Sequence, residues 1–129
     1  MHRFTLLLTC LLPLALAAQN DQPFLTLDLD MHNIAIRRLD TDAAGNYVLT
    51  CSKDKTAKLW GASTGKLIQT YRPPMGKGYA GMLYAAAIDP NGKYVALGGW
   101  SESRNHSIYI FNTQSGILVH RIAGLENII

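Results

Sequence analysis

The sequence is short of the residues from which catalytic and metal centres are usually built. Its 129 residues contain two cysteines, Cys10 and Cys51. With Cys10 assigned to a leader, Cys51 has no internal partner for a disulfide. Its place in an apolar, strand-like run makes it a buried thiol acting as a small hydrophobe. His32, His106 and His120 are far apart and lack the spacing of metal ligands, so no metal site is expected. Charged residues make up only 16% of the chain, the formal net charge is +3, and no basic run exceeds Arg37-Arg38. That leaves no clustered basic face for nucleic acid. Asp40, Asp42 and Asp89 flank turns, and none has a second titratable group arranged beside it. No catalytic residue, enzyme activity or cofactor is therefore assigned. Beyond the N-terminal segment no stretch sustains helical spacing.

What the N-terminus does have is a leader-like pattern. His2 and Arg3 are followed by the apolar run Phe4 to Leu12, then Pro13 and Leu14-Ala15-Leu16-Ala17-Ala18. The small residues Ala15 and Ala17 suit a cleavage site, and the run is too short to span a bilayer comfortably. The expectation is a signal peptide over 1–18, a mature domain over 19–129, and a secreted or periplasmic protein with no membrane contact after cleavage.

The mature part repeats itself. Asp42, Gly45, Tyr47 and Val48 recur as Asp89, Gly92, Tyr94 and Val95, an offset of 47. Trp60, Thr64 and Gly65 correspond to Phe111, Ser115 and Gly116 at an offset of 51, so the second copy has a longer loop near Trp100 to Asn105. Each copy reads as four short strands separated by turn residues. In copy one these are Ile34–Thr41, Tyr47–Ser52, Thr56–Trp60 and Lys66–Tyr71. In copy two they are Leu83–Ile88, Tyr94–Gly99, Ser107–Asn112 and Ile117–Ile122. Phe24 to Leu29 alternate weakly, as one further strand.

The centre of copy one, Thr50-Cys51-Ser52-Lys53-Asp54-Lys55-Thr56-Ala57-Lys58-Leu59-Trp60, resembles the middle of a blade in the WD-repeat (WD40) family. The resemblance covers the chain from about Leu25 onward. It implies an all-β fold: two four-stranded antiparallel blades of an incomplete WD40-type β-propeller. Blade one falls at about 32–71, blade two at about 79–122, and a third repeat begins at about 124–129. It also implies a hydrogen-bonded structural network of His32, Ser52 (or Thr50), Asp54 and Trp60, in which a buried indole N–H and an imidazole each find a partner. Copy two departs from the pattern, with Tyr79, Asn105 and Phe111 at the positions of His, Asp and Trp, so its network should be weak or absent.

Two blades cannot close a ring of the usual four to eight. The expectation is therefore a fragment of a longer propeller whose open edges invite self-association. The function implied by the family is a scaffold for protein partners. A narrower resemblance, through Arg72-Pro73-Pro74 and Gly98-Gly99-Trp100, is to bacterial secreted WD-repeat proteins. It allows an alternative: the sensor arm of a caspase-like peptidase whose catalytic domain lies beyond this chain. Gly76-Lys77-Gly78-Tyr79-Ala80-Gly81 matches a dinucleotide fingerprint in letters only, because prolines precede it and a strand follows it. It reads better as an inter-blade loop, and Lys77, Tyr79, Trp100 and Arg104 are the candidate partner-contact residues. Asn105-His106-Ser107 is a glycosylation sequon, more readily a chance match.

Overall fold

The computed structural model describes residues 30–74, 76–101 and 106–128. The leader, the strand expected at 24–29 and Arg104 lie outside the described residues.

Eight strands form two four-stranded antiparallel sheets, each a meander in chain order. The first sheet holds β1 (Ile36–Thr41), β2 (Tyr47–Ser52), β3 (Ala57–Gly61) and β4 (Leu67–Tyr71). The second holds β5 (Leu83–Ile88), β6 (Tyr94–Gly99), β7 (His106–Asn112) and β8 (Leu118–Leu125). The repeated Asp-x-x-Gly is the β1–β2 and β5–β6 turn. Gly45 and Gly92 both take a φ of 68°, and each amide donates to the carbonyl of the turn aspartate, at 3.1 Å to Asp42 and 2.7 Å to Asp89. A positive φ at that position suits glycine, which has no Cβ to clash.

Strand alternation sorts the side chains. On β2, Leu49 and Cys51 point into the space between the sheets, as do Ala57 and Leu59 on β3 and Tyr71 on β4. They meet Leu83, Ile88, Val95, Leu97, Tyr109 and Phe111 from the second sheet in one buried cluster. Each large aliphatic side chain buried there contributes about 1.5–3 kcal/mol. The sheets are also pinned by polar contacts: Ile88 N–H donates to Asp40 Oδ2 at 2.8 Å, and Ala43 N–H to the Pro90 carbonyl at 3.0 Å.

Two boundaries differ from expectation by more than one residue. Ile34 and Ala35 lie before β1, whose pairing starts at Ile36↔Ser52 and shifts register before Arg38. At the other end β8 continues past Ile122, because His106 pairs with Leu125 after a second irregularity. Gly124 and Leu125, expected to open a third repeat, are thus the end of the outer strand of the second sheet.

Candidate functional site

The meander places the β2–β3 turn, the β4–β5 link and the β6–β7 loop at one end of the molecule. The short turns at β1–β2, β3–β4, β5–β6 and β7–β8 occupy the other. Two constellations sit at the first end.

The first is a polar network on the face of the first sheet turned away from the second. Asp54, in the β2–β3 turn, accepts from Thr56 N–H at 2.9 Å and from the Thr56 hydroxyl at 2.6 Å through Oδ1. Its Oδ2 lies 2.7 Å from His32 Nδ1. An ionised carboxylate only accepts, so that contact places a proton on Nδ1. His32 Nε2 is 2.9 Å from Thr50 Oγ1, which also accepts from Trp60 Nε1–H at 2.9 Å. Both partners are shielded, the side chains of His32 and Asp54 being 2% and 8% exposed. Burial opposes ionisation of Asp54, but the hydrogen bonds from Thr56 and His32 and the charge of His32 outweigh it and lower the Asp54 carboxyl below its ordinary range.

Ser52 is not the hydroxyl that joins His32 to Trp60. Its Oγ donates to the Ile34 carbonyl and accepts from Asp54 N–H, each at 3.1 Å, so it supports the turn and the approach to β1. The bridging hydroxyl belongs to Thr50, two residues earlier on the same face of β2. Trp60 pairs with Val48, which sets its indole diagonally over Thr50 rather than near Ser52. Trp60 itself is half-buried. With Met31, His32, Ile34, Ile36, Thr50 and Gly65 it lines an open hollow of about 540 Å³. In the second sheet Phe111 occupies the place of Trp60, lies in the central core and has no N–H to donate.

The second constellation is an exposed loop surface. Tyr79 from the β4–β5 link and Trp100 after β6 pack with ring centroids 6.0 Å apart, and they are 66% and 41% exposed. Trp100 also meets His106 edge-on at 6.3 Å. Backbone bonds fix this arrangement: Gly81 N–H donates to the Trp100 carbonyl at 2.7 Å, Trp100 N–H to Met82 at 2.9 Å, and Met82 N–H to Tyr79 at 3.0 Å. Lys77 is exposed in the same link. Lys55, the one non-glycine residue with positive φ among the described residues (69°), sends its Nζ 2.9 Å to the Gly76 carbonyl, tying the first sheet's turn to the second sheet's link. Of the four candidate partner-contact residues, Lys77, Tyr79 and Trp100 share this surface. Sequence reasoning did not place His106 or Lys55 at this surface, whereas Thr50 stood in that reasoning as the alternative hydroxyl to Ser52 on β2.

Cys51 and His32 lie on opposite faces of the first sheet, so they form no nucleophile–base pair. Burial pushes the Cys51 thiol up to about 11. Among the described residues no three His, Cys, Asp or Glu side chains converge to hold a metal ion, and no helix is long and apolar enough to cross a membrane.

Four-stranded meander sheets stacked face to face define a partial β-propeller. Residues 23–61 match the family model described as "WD domain, G-beta repeat", so this stretch of the chain is a WD repeat. It is 39% identical over 66 residues to WD repeat domain-containing protein 83 of Danio rerio, covering 51% of this chain and 18% of that protein. The Homo sapiens protein of the same name is 41% identical over 61 residues, with 47% and 18% covered. Eukaryotic translation initiation factor 3 subunit I of Vanderwaltozyma polyspora is 25% identical over 89 residues, with 69% and 23% covered. Among solved structures, "Crystal structure of RRP9 WD40 repeats" superposes with a TM-score of 0.63 at 22% identity, covering 76% of this chain and 28% of that one. "Structure of U3-55K" gives 0.61 at 22%, with 76% and 29% covered. The chain thus spans about a fifth of the curated relatives it matches. The relatives named here are WD-repeat proteins and an initiation-factor subunit; none of these names describes a peptidase.

Proposed function

We propose that this chain is part of a non-catalytic scaffold that binds a protein partner through the loop end of its two blades. The observation that carries this reading is the Tyr79–Trp100 pair. Two large aromatic rings from separate loops are held against each other and left exposed by a well-bonded backbone. Rigid exposed aromatics are the side chains most enriched where protein interfaces hold their binding energy. The short turns at the opposite end present no such pair among the described residues.

The same reading takes the N-terminal apolar run and Ala15-x-Ala17 as an export signal, so that the scaffold acts in a secreted or periplasmic location. N-terminal sequencing of the protein from its own host should then begin at Gln19, and an intact Met1 would refute export. Binding is tested by placing a photo-crosslinking residue at position 100 or at position 44 of the full chain in its native cell. Discrete adducts at 100 and none at 44 support the proposal. Equal patterns at both positions would overturn it.

A further inference from the structure

We propose that the partner segment docking on this loop end is acidic, an extended stretch of Asp or Glu with an apolar side chain that the Tyr79–Trp100 pair receives. The inference rests on the protein-binding reading above and names the chemistry of its ligand.

Charge is distributed unevenly between the two ends of the blades. The described loops at the aromatic end carry Lys53, Lys55, Arg72 and Lys77. The carboxylates there are Asp30, Glu126, which follows β8 where Leu125 pairs with His106, and Asp54, which is buried and already engaged by His32 and Thr56. At the opposite end Asp40, Asp42 and Asp89 accompany Lys66 and Lys93, so that end has no excess of cations. The cations of the aromatic end outnumber its exposed carboxylates, and that excess favours an anionic segment there.

The basic and aromatic groups form one continuous path across both sheets. Arg37 lies over the Tyr84 ring at 5.5 Å, and Tyr84 Oη is 4.0 Å from the Met82 sulfur. Met82 is bonded through its backbone to both Trp100 and Tyr79. Lys77 precedes Tyr79 by two residues, and Lys55 is anchored to Gly76 one residue before Lys77. A chain laid along this path meets a cation, an aromatic platform and further cations in order. Lys55 holds a left-handed backbone that a residue with a side chain rarely adopts, and its ammonium reaches across to the link that leads into the neighbouring blade.

Nucleic acid is the other polyanion to consider, and the chain carries no run of Lys or Arg beyond two residues. A protein carboxylate ladder with one apolar anchor fits scattered cations around a single aromatic pair better than a regular phosphate backbone does.

The test uses the full chain and a fluorescein-labelled peptide in which Glu alternates with Ser around a central Leu. Matched peptides carry Gln for Glu, or Ala for Leu, and oligouridylate is the competing polyanion. Anisotropy at low salt should show the Glu–Leu peptide binding at least tenfold more tightly than the Gln peptide, with affinity falling as salt rises. K55Q combined with K77Q should weaken binding at least fivefold, whereas K66Q combined with K93Q leaves it unchanged. Peptide-induced change in tryptophan emission should vanish in W100F, which keeps an aromatic ring and the fold. Equal binding of the Glu and Gln peptides would overturn the acidic assignment while leaving a binding surface. Loss of binding in W100A with no charge dependence would have the same meaning. Tighter binding of oligouridylate than of peptide, or no binding of any peptide at millimolar concentration, would overturn the inference.

Discussion

Tyr71, the last residue of β4, donates its hydroxyl hydrogen to the backbone carbonyl of Thr113 at 2.9 Å, joining the two sheets across 42 residues of sequence. Its ring packs on Phe111 at 5.5 Å and is 1% exposed. Y71F keeps the ring and removes one buried hydrogen bond, which leaves a carbonyl unsatisfied. The expected loss is about 1–2 kcal/mol in urea unfolding. A change within error would show that water replaces the hydroxyl.

The route of the polar network through Thr50 predicts a specific coupling. T50V leaves the Trp60 N–H and His32 Nε2 without their shared partner and should cost about 1–3 kcal/mol. In a double-mutant cycle T50V and W60F should couple by at least about 0.5 kcal/mol. S52A should be additive with W60F, because Ser52 bonds Ile34 and Asp54 instead.

Asp54 makes the fold acid-sensitive. Its carboxyl is held below the usual range in the folded chain, so its contribution is present above the ordinary Asp value of about 4. That contribution is lost as pH falls from there through the lower folded value. Thermal melts between pH 7 and pH 3 should show a steep fall in Tm below about pH 4. D54N should start lower at pH 7 and fall less.

The alkaline side has the opposite sign. Burial raises Cys51 to about 11, and burial together with Tyr47 raises Tyr71 to about 12. Both groups stabilise the fold below their ordinary values. That stabilisation is lost as pH climbs from about 8.5 through these raised values. Unfolding in urea should become easier between pH 9 and pH 11, and C51A should remove part of the slope. At pH 8 the folded thiol should react with a disulfide reagent far more slowly than the thiol of urea-unfolded protein.

Gly99 tests how the aromatic surface is built. A Cβ there would stand 2.0 Å from the Met82 carbonyl oxygen and 2.9 Å from Leu83 Cα, both backbone atoms that cannot swing aside. G99A should therefore push β5 from β6 and disturb the Met82–Trp100 bond. Loss of stability should be accompanied by red-shifted tryptophan emission. G45A, where the added methyl meets nothing within 4 Å, should cost only about the 1 kcal/mol of its positive φ.

The repeat was legible because its turns are chemical. Asp42 with Gly45 and Asp89 with Gly92 can be read from the letters, and they fix the β1–β2 and β5–β6 registers. The identity of the bridging hydroxyl was not legible. Thr50 and Ser52 share one face of one strand, and only the pairing of Val48 with Trp60 decides which meets the indole. The end of β8 was hidden for a similar reason: the irregularity between His106 and Ile108 lets Leu125 pair, and nothing in the sequence marks it. Trp60 reads as a core residue by type. In the structure the core lies on the other side of its strand, where Leu59 points.

The two faces of each sheet are unlike. Leu49 and Leu59 of the first blade meet Val95 and Phe111 of the second, and these pairs do not occupy equivalent positions of the repeat. Stacking is accordingly vectorial, like the joining of tiles with a tongue on one side and a groove on the other. A further layer, if added, would fit in only one rotational sense, and a layer offered back to front would set the Trp60 side of one blade against the same side of another.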